Sequence, residues 1–361
     1  MIVSVMHVSA AGGISLVAAN VPFSNLQWTR RMASVGEFSI SLVGRFPADW
    51  PGRYLLTRDD AEEVGVIEKV VADEGSHGES CQVSGRFAEC FFARYAFGAA
   101  GAEAVGANWR QAVTAAMRAW VMPDAPRMAM GAGTEAVTGS SYALRGEKGS
   151  DGAEAIYSAC ESNGARPLVT YDRERDPDRL VCEIRVGADR TRAQDELPVQ
   201  LFALSMGNIS SASYTGDYSA ARSVVMAHAE KGGGSDAVSA DAEVAVPGFD
   251  PDTQWRASAF EDVSSLVDDS VRREDVVAAA NLRALGHRPS IAIDGTVSGQ
   301  GYKADWDLGD LCEAEMPSIG LAAAEHVQEV REVAKADGVT AEATLGTKSI
   351  SRLARALMGR R

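Results

Sequence analysis

Residues 199–228 read VQLFALSMGNISSASYTGDYSAARSVVMAH. The stretch opens as the apolar run of a strand and bends at Gly207 and Asn208. It continues as a hydroxyl-rich ribbon carrying Tyr214 and Tyr218, and ends in a second apolar run, Val224 to Ala227. Glycine supplies the backbone freedom that such a bend needs. Tyrosine offers contact area with a polar handle. The same pattern also describes an ordinary solvent-facing ribbon with one apolar side. No catalytic motif fits the segment.

The β pattern extends to both ends of the chain. Residues 36–43, GEFSISLV, alternate with Phe38, Ile40 and Leu42 on one side, as a half-buried strand does. Residues 54–57, 64–71 and 81–84 continue it, with a turn through 73–80. Residues 1–100 read as a small β-barrel. Beyond the opening stretch, residues 291–297, 308–313, 325–333 and 339–345 read as strands. The third also fits helical spacing through Val327, Val330 and Val333, but Asp337-Gly338 favours a hairpin turn.

Between these lie other patterns. Residues 108–120 carry an apolar stripe at helical spacing. Residues 129–150, rich in Gly, Ser and Thr, read as an exposed connection. Residues 151–163 predict a helix capped by Asp151 and stopped by Gly164. Residues 180–186 alternate as a strand, and residues 231–242 read as a mobile loop. Residues 270–285 predict an amphipathic helix with Val276, Val277, Ala280 and Leu285 inward, stopped by Gly286. A weak repeat links the ends: VIEKVVADEG with CQVSG near the front, HVQEVREVAKADG with VTAEATLG near the back. Chance hairpins or two similar β domains both account for it.

Composition narrows the function. The 361 residues carry 35 Lys+Arg against 50 Asp+Glu, a net charge of −15 that argues against a basic nucleic-acid-binding surface. The five cysteines are scattered without a C-x-x-C pair and read as reduced, mostly buried thiols. The apolar start lacks a basic leader and reads as a strand. No run of about 18 apolar residues is present. The histidines His7, His77, His228, His287 and His326 show no metal-ligand spacing, and no GxSxG or GxxxxGK[ST] motif occurs. No catalytic residue, cofactor or metal is expected.

The order of four segments resembles a siphophage tail-protein family related to the baseplate or tail-tip hub of tailed phages. These are GEFSISL with a Gly-Val-Ile-Glu hairpin and VSGR, the RVGADRT run at 185–191, the opening stretch, and DWDLGDL at 305–311 followed by the closing hairpin. The resemblance implies a mainly β fold with an α/β insertion, built on two similar small, tail-tube-like β-barrels. It places a first barrel at 1–100, a helical and α/β insertion at 101–195, a second barrel at 196–250 with 290–346, and a helical insertion at 251–289. It implies a central tail hub that closes the tube and forms the channel for DNA ejection. The expected partners are two further copies in a homotrimer, distal tail or tail-tube proteins, the tape-measure protein, tail fibre or receptor-binding proteins, and transiently the phage DNA. The expected location is the virion tail tip, after assembly in the host cytoplasm. A tail-associated cell-wall hydrolase and a peripheral receptor-binding component are the competing readings.

Residues 347–361, TKSISRLARALMGRR, differ from the rest. Lys348, Arg352, Arg355, Arg360 and Arg361 are basic with no acidic residue among them, and Ile350, Leu353, Ala354, Leu357 and Met358 recur at helical spacing. A membrane, an unbound tail and an acidic neighbouring protein are all possible settings; charge complementarity favours the last. The resemblance makes Gly207, Asn208, Tyr214 and Tyr218 of the opening stretch candidate residues of a subunit interface, and Arg352, Arg355, Arg360 and Arg361 join them as candidate contact residues.

Overall fold

The computed structural model describes residues 1–44, 53–75, 78–94, 96–121, 127–134, 142–173, 177–232, 237–249, 255–297 and 301–346. The front of the chain forms β1 (Val3–Val8), β2 (Ile14–Ala18), β3 (Phe23–Arg31), β4 (Glu37–Leu42), β5 (Tyr54–Arg58), β6 (Gly65–Gly75) and β7 (Gly78–Phe87). The alternation in β4 lands as read, with Phe38, Ile40 and Leu42 buried. They meet Val3 and Val5 of β1, Leu26 and Trp28 of β3, Leu56 of β5, Ile67 of β6 and Val83 of β7 in one core. Period-two burial thus points six strands at one interior.

The next stretch holds β8 (Ala102–Gly106), α1 (Trp109–Ala116), β9 (Met128–Met130), β10 (Tyr142–Gly146), α2 (Gly152–Glu161), β11 (Ala165–Thr170) and β12 (Leu180–Val186). Asn108 caps α1 by accepting from Gln111 N–H, and Asp151 caps α2 by accepting from Ala153 N–H. Gly164 adopts φ +62° just beyond α2. Buried faces of both helices pack with Phe91, Phe92, Val169 and Cys182 in a second core. The exposed connection expected over 129–150 is corrected in part, because β10 pairs with β8 and β9 lies parallel to β12. These strands are three and five residues long, too short for alternation to stand out among glycines.

The remainder forms β13 (Leu201–Phe202), β14 (Ile209–Asp217), β15 (Val224–Lys231), β16 (Val238–Ala245), β17 (Ser258–Asp262), α3 (Arg273–Leu285), β18 (Ser290–Val297), β19 (Leu311–Met316), β20 (Leu321–Lys335) and β21 (Gly338–Gly346). The loop expected over 231–242 is also corrected, since β16 occupies its second half and pairs along all of β15. The ambiguous run at 325–333 is strand: β20 pairs on one side with β21 and on the other with β3. Its hairpin closes with Lys335 opposite Gly338, leaving Ala336 and Asp337 as the turn.

The chain divides into two compact units, residues 1–212 with 294–345, and residues 213–293. The large sheet lies mostly in the first, with strand order β14-β18-β21-β20-β3-β4-β7-β6-β5-β1-β2 and a branch through β19 to β13; the main path ends at β2 and β14, and no closed barrel forms among the described residues. In the second, β16-β15-β17 form a three-stranded sheet with α3 against one face. All five cysteines are free and buried, as expected.

Candidate assembly site

Three of the motifs singled out in the sequence converge within the first unit. Gly187 and Gly309 bring their backbones together: a Cβ on Gly187 would lie 1.9 Å from the Gly309 carbonyl oxygen. The approach lets Leu311 N–H donate to Ala188 O (2.9 Å) and Arg190 N–H donate to Leu311 O (2.8 Å). Asp310, 4% exposed, accepts from Ala188 N–H (2.8 Å), Arg190 Nε (2.8 Å) and Asp307 N–H (3.0 Å). Every oxygen of this buried carboxylate is thus used, which is what burial of a charge requires. His326 Nδ1 donates to Gly309 O (2.7 Å). Beside the clasp, Phe202 of the opening stretch stacks edge-on against Trp306 with centroids 5.3 Å apart, and β13 runs parallel to β19.

A buried ionic cluster lies deeper in the same unit. Leu26, Trp28 and Arg30 alternate inward along β3, which carries the Arg30 guanidinium into the interior at 1% exposure. Arg30 donates to Glu63 (2.9 Å) and Glu332 of β20 (2.6 Å). Arg58 of β5 donates to the same Glu332 oxygen (2.9 Å) and grips Asp60 with two nitrogens (3.0 and 2.9 Å). Arg166 of β11 reaches Glu63 at 3.9 Å. Arg30 lies over the Tyr302 ring and Arg58 over Trp28, at 5.5 and 5.2 Å. Burial works against charge on both partners. Against it, Glu63, Tyr302 and Glu332 hold the Arg30 pKa above its ordinary value, while Arg30, Lys303 and Arg166 hold Glu63 well below the usual carboxylate range. The cluster ties β3 and β5 to β11 and β20.

Glu89 is different. Its Oε1 accepts Val169 N–H at 2.8 Å, Oε2 has no protein partner, and burial pushes its pKa up to about 7.

The expected contact residues do not form one site. Gly207 takes φ +69° at the end of a short 3-10 turn, as the bend demands. Asn208 braces that bend, accepting from Ala203 N–H (3.1 Å) and donating to Leu201 O. Both lie in the first unit. Tyr214 and Tyr218 lie in the second, the former half-buried along β14 and the latter 47% exposed. Arg352, Arg355, Arg360 and Arg361 lie outside the described residues. Arg30, Glu63 and Glu332 were missed because their pairing depends on strands distant in sequence. Among the described residues, no group of three or more His, Cys, Asp and Glu could hold a metal, and no helix is long and apolar enough to cross a membrane.

The family model described as siphovirus ReqiPepy6 Gp37-like protein matches residues 14–347. The chain belongs to this Gp37-like family. No curated protein matches it in sequence. Among solved structures, it is similar to the 43 kDa tail protein of prophage MuSo2 from Shewanella oneidensis, with TM-score 0.60 and 15% identity over 96% of this chain and 98% of that one. A tail protein from Neisseria meningitidis MC58 gives TM-score 0.60 and 16% identity over 96% and 97%. Prophage tail protein gp18 from Listeria monocytogenes EGD-e gives TM-score 0.55 and 10% identity over 99% and 98%. The Gp37-like chain therefore has the fold of phage tail proteins along nearly its whole length, and the resemblance read from its segments holds.

Proposed function

We propose that this Gp37-like protein is the central hub of a siphophage tail tip, a structural component that closes the tail tube and lines the path of DNA at ejection. The observation that carries the reading is the pairing of β3 with β20, antiparallel from Asn25 opposite Lys335 to Arg31 opposite Glu329. Through it, the front and back of the chain contribute adjacent stretches of one sheet. A subunit whose front β region (1–100) and back β region (290–346) lie side by side in one sheet lets three copies present six similar surfaces to a sixfold tube. The ionic cluster fastens that junction, and the sheet ends β2 and β14 are strand edges of the kind that pair with neighbours. Distal tail and tail-tube proteins, the tape-measure protein and tail fibre or receptor-binding proteins are then the partners, with passing contact to DNA in the lumen. A cryo-electron map of the particle tests this. Three copies around the tail axis at the tip are expected; six equivalent copies, or copies at the periphery, overturn it.

A further inference from the structure

Within the second unit, the three-stranded sheet carries α3 on one face. Val225, Ala227 and Ala229 of β15 and Ala242 and Val244 of β16 pack against Val276, Ala279, Ala280 and Ala284 of α3. Glu261 of β17 turns the same way and meets His287, just beyond α3, at 2.8 Å. Strand alternation sends the intervening residues to the other face. There Met226 stands between Glu243 and Phe260, and His228 between Asp241 and Asp262. Phe260 is 66% exposed and Met226 41%. Glu230 follows on β15, and the side chains of Glu230, Asp241 and Glu243 are each more than half exposed. Against these three carboxylates and Asp262 stand Arg256, which pairs with Glu243 at 3.0 Å, and His228, which donates to Asp241 at 2.7 Å. An exposed ring and thioether bordered by an excess of carboxylates repel phosphate and anionic lipid alike. They suit a protein surface that sets basic side chains beside apolar ones.

We propose that this open face docks a basic amphipathic helix of another tail protein. Three strands set about 4.8 Å apart make a floor about 10 Å wide, the diameter of one helix with its side chains. The eight residues of β15 run about 26 Å along it. The covered face shows the same fit, with the 13 residues of α3 lying over β15 and β16. A second helix completes the helix–sheet–helix layering that buries both faces of a sheet. Its apolar stripe covers Phe260 and Met226. Lysine or arginine on one flank reaches Asp241 and Glu243 of β16, and on the other reaches Asp262 of β17. A cation above the Phe260 ring adds a further attraction. The inference uses the tail setting of the family and no particular place in the tail, so it stands or falls apart from the hub reading.

Photo-cross-linking in assembled tails tests it, with p-benzoylphenylalanine placed at position 260 of the full-length chain. Irradiation is expected to join this position to one segment of a different tail protein, with Lys and Arg outnumbering Asp and Glu and apolar residues at helical spacing. That segment, made as a synthetic peptide, should bind the purified native protein and bind Phe260→Ser and Asp241→Lys/Glu243→Lys at least about tenfold more weakly. All three substituted side chains are exposed, and hydrogen exchange of the α3 amides checks that the second unit stays folded in both variants. An acidic or neutral segment at the cross-link overturns the proposal, as does a segment of this same chain, a lipid or nucleic-acid adduct, or no adduct at all. Peptide binding that both variants leave unchanged also overturns it.

Discussion

Arg30 donates to two carboxylates in the interior, and removing it leaves Glu63 with only the longer Arg166 contact at 3.9 Å and Glu332 with Arg58 alone. Arg30→Met is expected to destabilise the protein by about 3–5 kcal/mol, because an uncompensated buried charge costs more than the pair contributes. Urea denaturation at pH 7 measures this, and a loss under about 1 kcal/mol would show the carboxylates reaching other partners or water. Glu89 has the opposite sign. Burial raises its pKa from 4.5 to about 7, so its proton stabilises the fold fully below pH 4.5, and that contribution is lost as the pH rises through 7. Glu89→Gln keeps an acceptor for Val169 N–H without a charge. It should unfold at higher urea than the native protein at pH 8, by on the order of 1–3 kcal/mol, and match it near pH 4.5. Equal stability of the two proteins at pH 8 would count against a carboxyl that titrates near neutrality. The sequence could show neither role. Arg30 and Glu332 are 302 residues apart, and only the pairing of β3 with β20 makes them neighbours. Asp310 and Arg190 were legible as members of motifs, yet nothing in either motif said that they bind each other.

Elements were legible where local rules acted alone. The helix α2 lies between the residues that cap and stop it, and β12 spans the residues its alternation marked. Elements that depend on distant partners were not. The strand β11 was missed because all but its last residue is buried, so no alternation appears. It also contains Pro167, tolerated because β11 is the edge strand of its sheet, beside β12. Its buried Arg166 is legible only once Glu63 is beside it. The Gly187–Gly309 approach is another such contact. Gly187→Ala places a methyl against a backbone carbonyl that cannot step aside as a side chain would. It is expected to cost about 1–3 kcal/mol and to speed exchange at the Leu311 and Arg190 amides, which bond across the clasp. Unchanged exchange at those two amides would show that the loops part without breaking it.

At the scale of the molecule, the question is what covers the sheet ends. The strand order stops at β2, and Leu16 and Val17 there are 39% and 50% exposed. A free strand edge carrying apolar side chains invites pairing with another chain, and soluble proteins blunt such edges with lysine, proline or bulges. The bulge between Val5 and Met6 in the partner strand β1 bends this edge but leaves Leu16 and Val17 uncharged. If the hub reading is right, β2 is open because a neighbouring subunit completes it in the ring. The substitution Val17→Lys tests the edge without touching the core. Exposed as Val17 is, the change should shift the unfolding free energy by no more than about 0.5 kcal/mol. In a phage carrying it, the protein should accumulate in folded form while tails lack their tip or fail to eject DNA. The Val17 side chain stands out of the sheet plane, so the ammonium would lie against the side chains flanking the neighbour's strand, where a buried unpaired charge costs several kcal/mol per interface. Three interfaces in a ring multiply that cost. Normal tails built from the variant would mean that β2 faces solvent in the particle, and that the ring, if one forms, closes through β14 or through side-chain contacts instead.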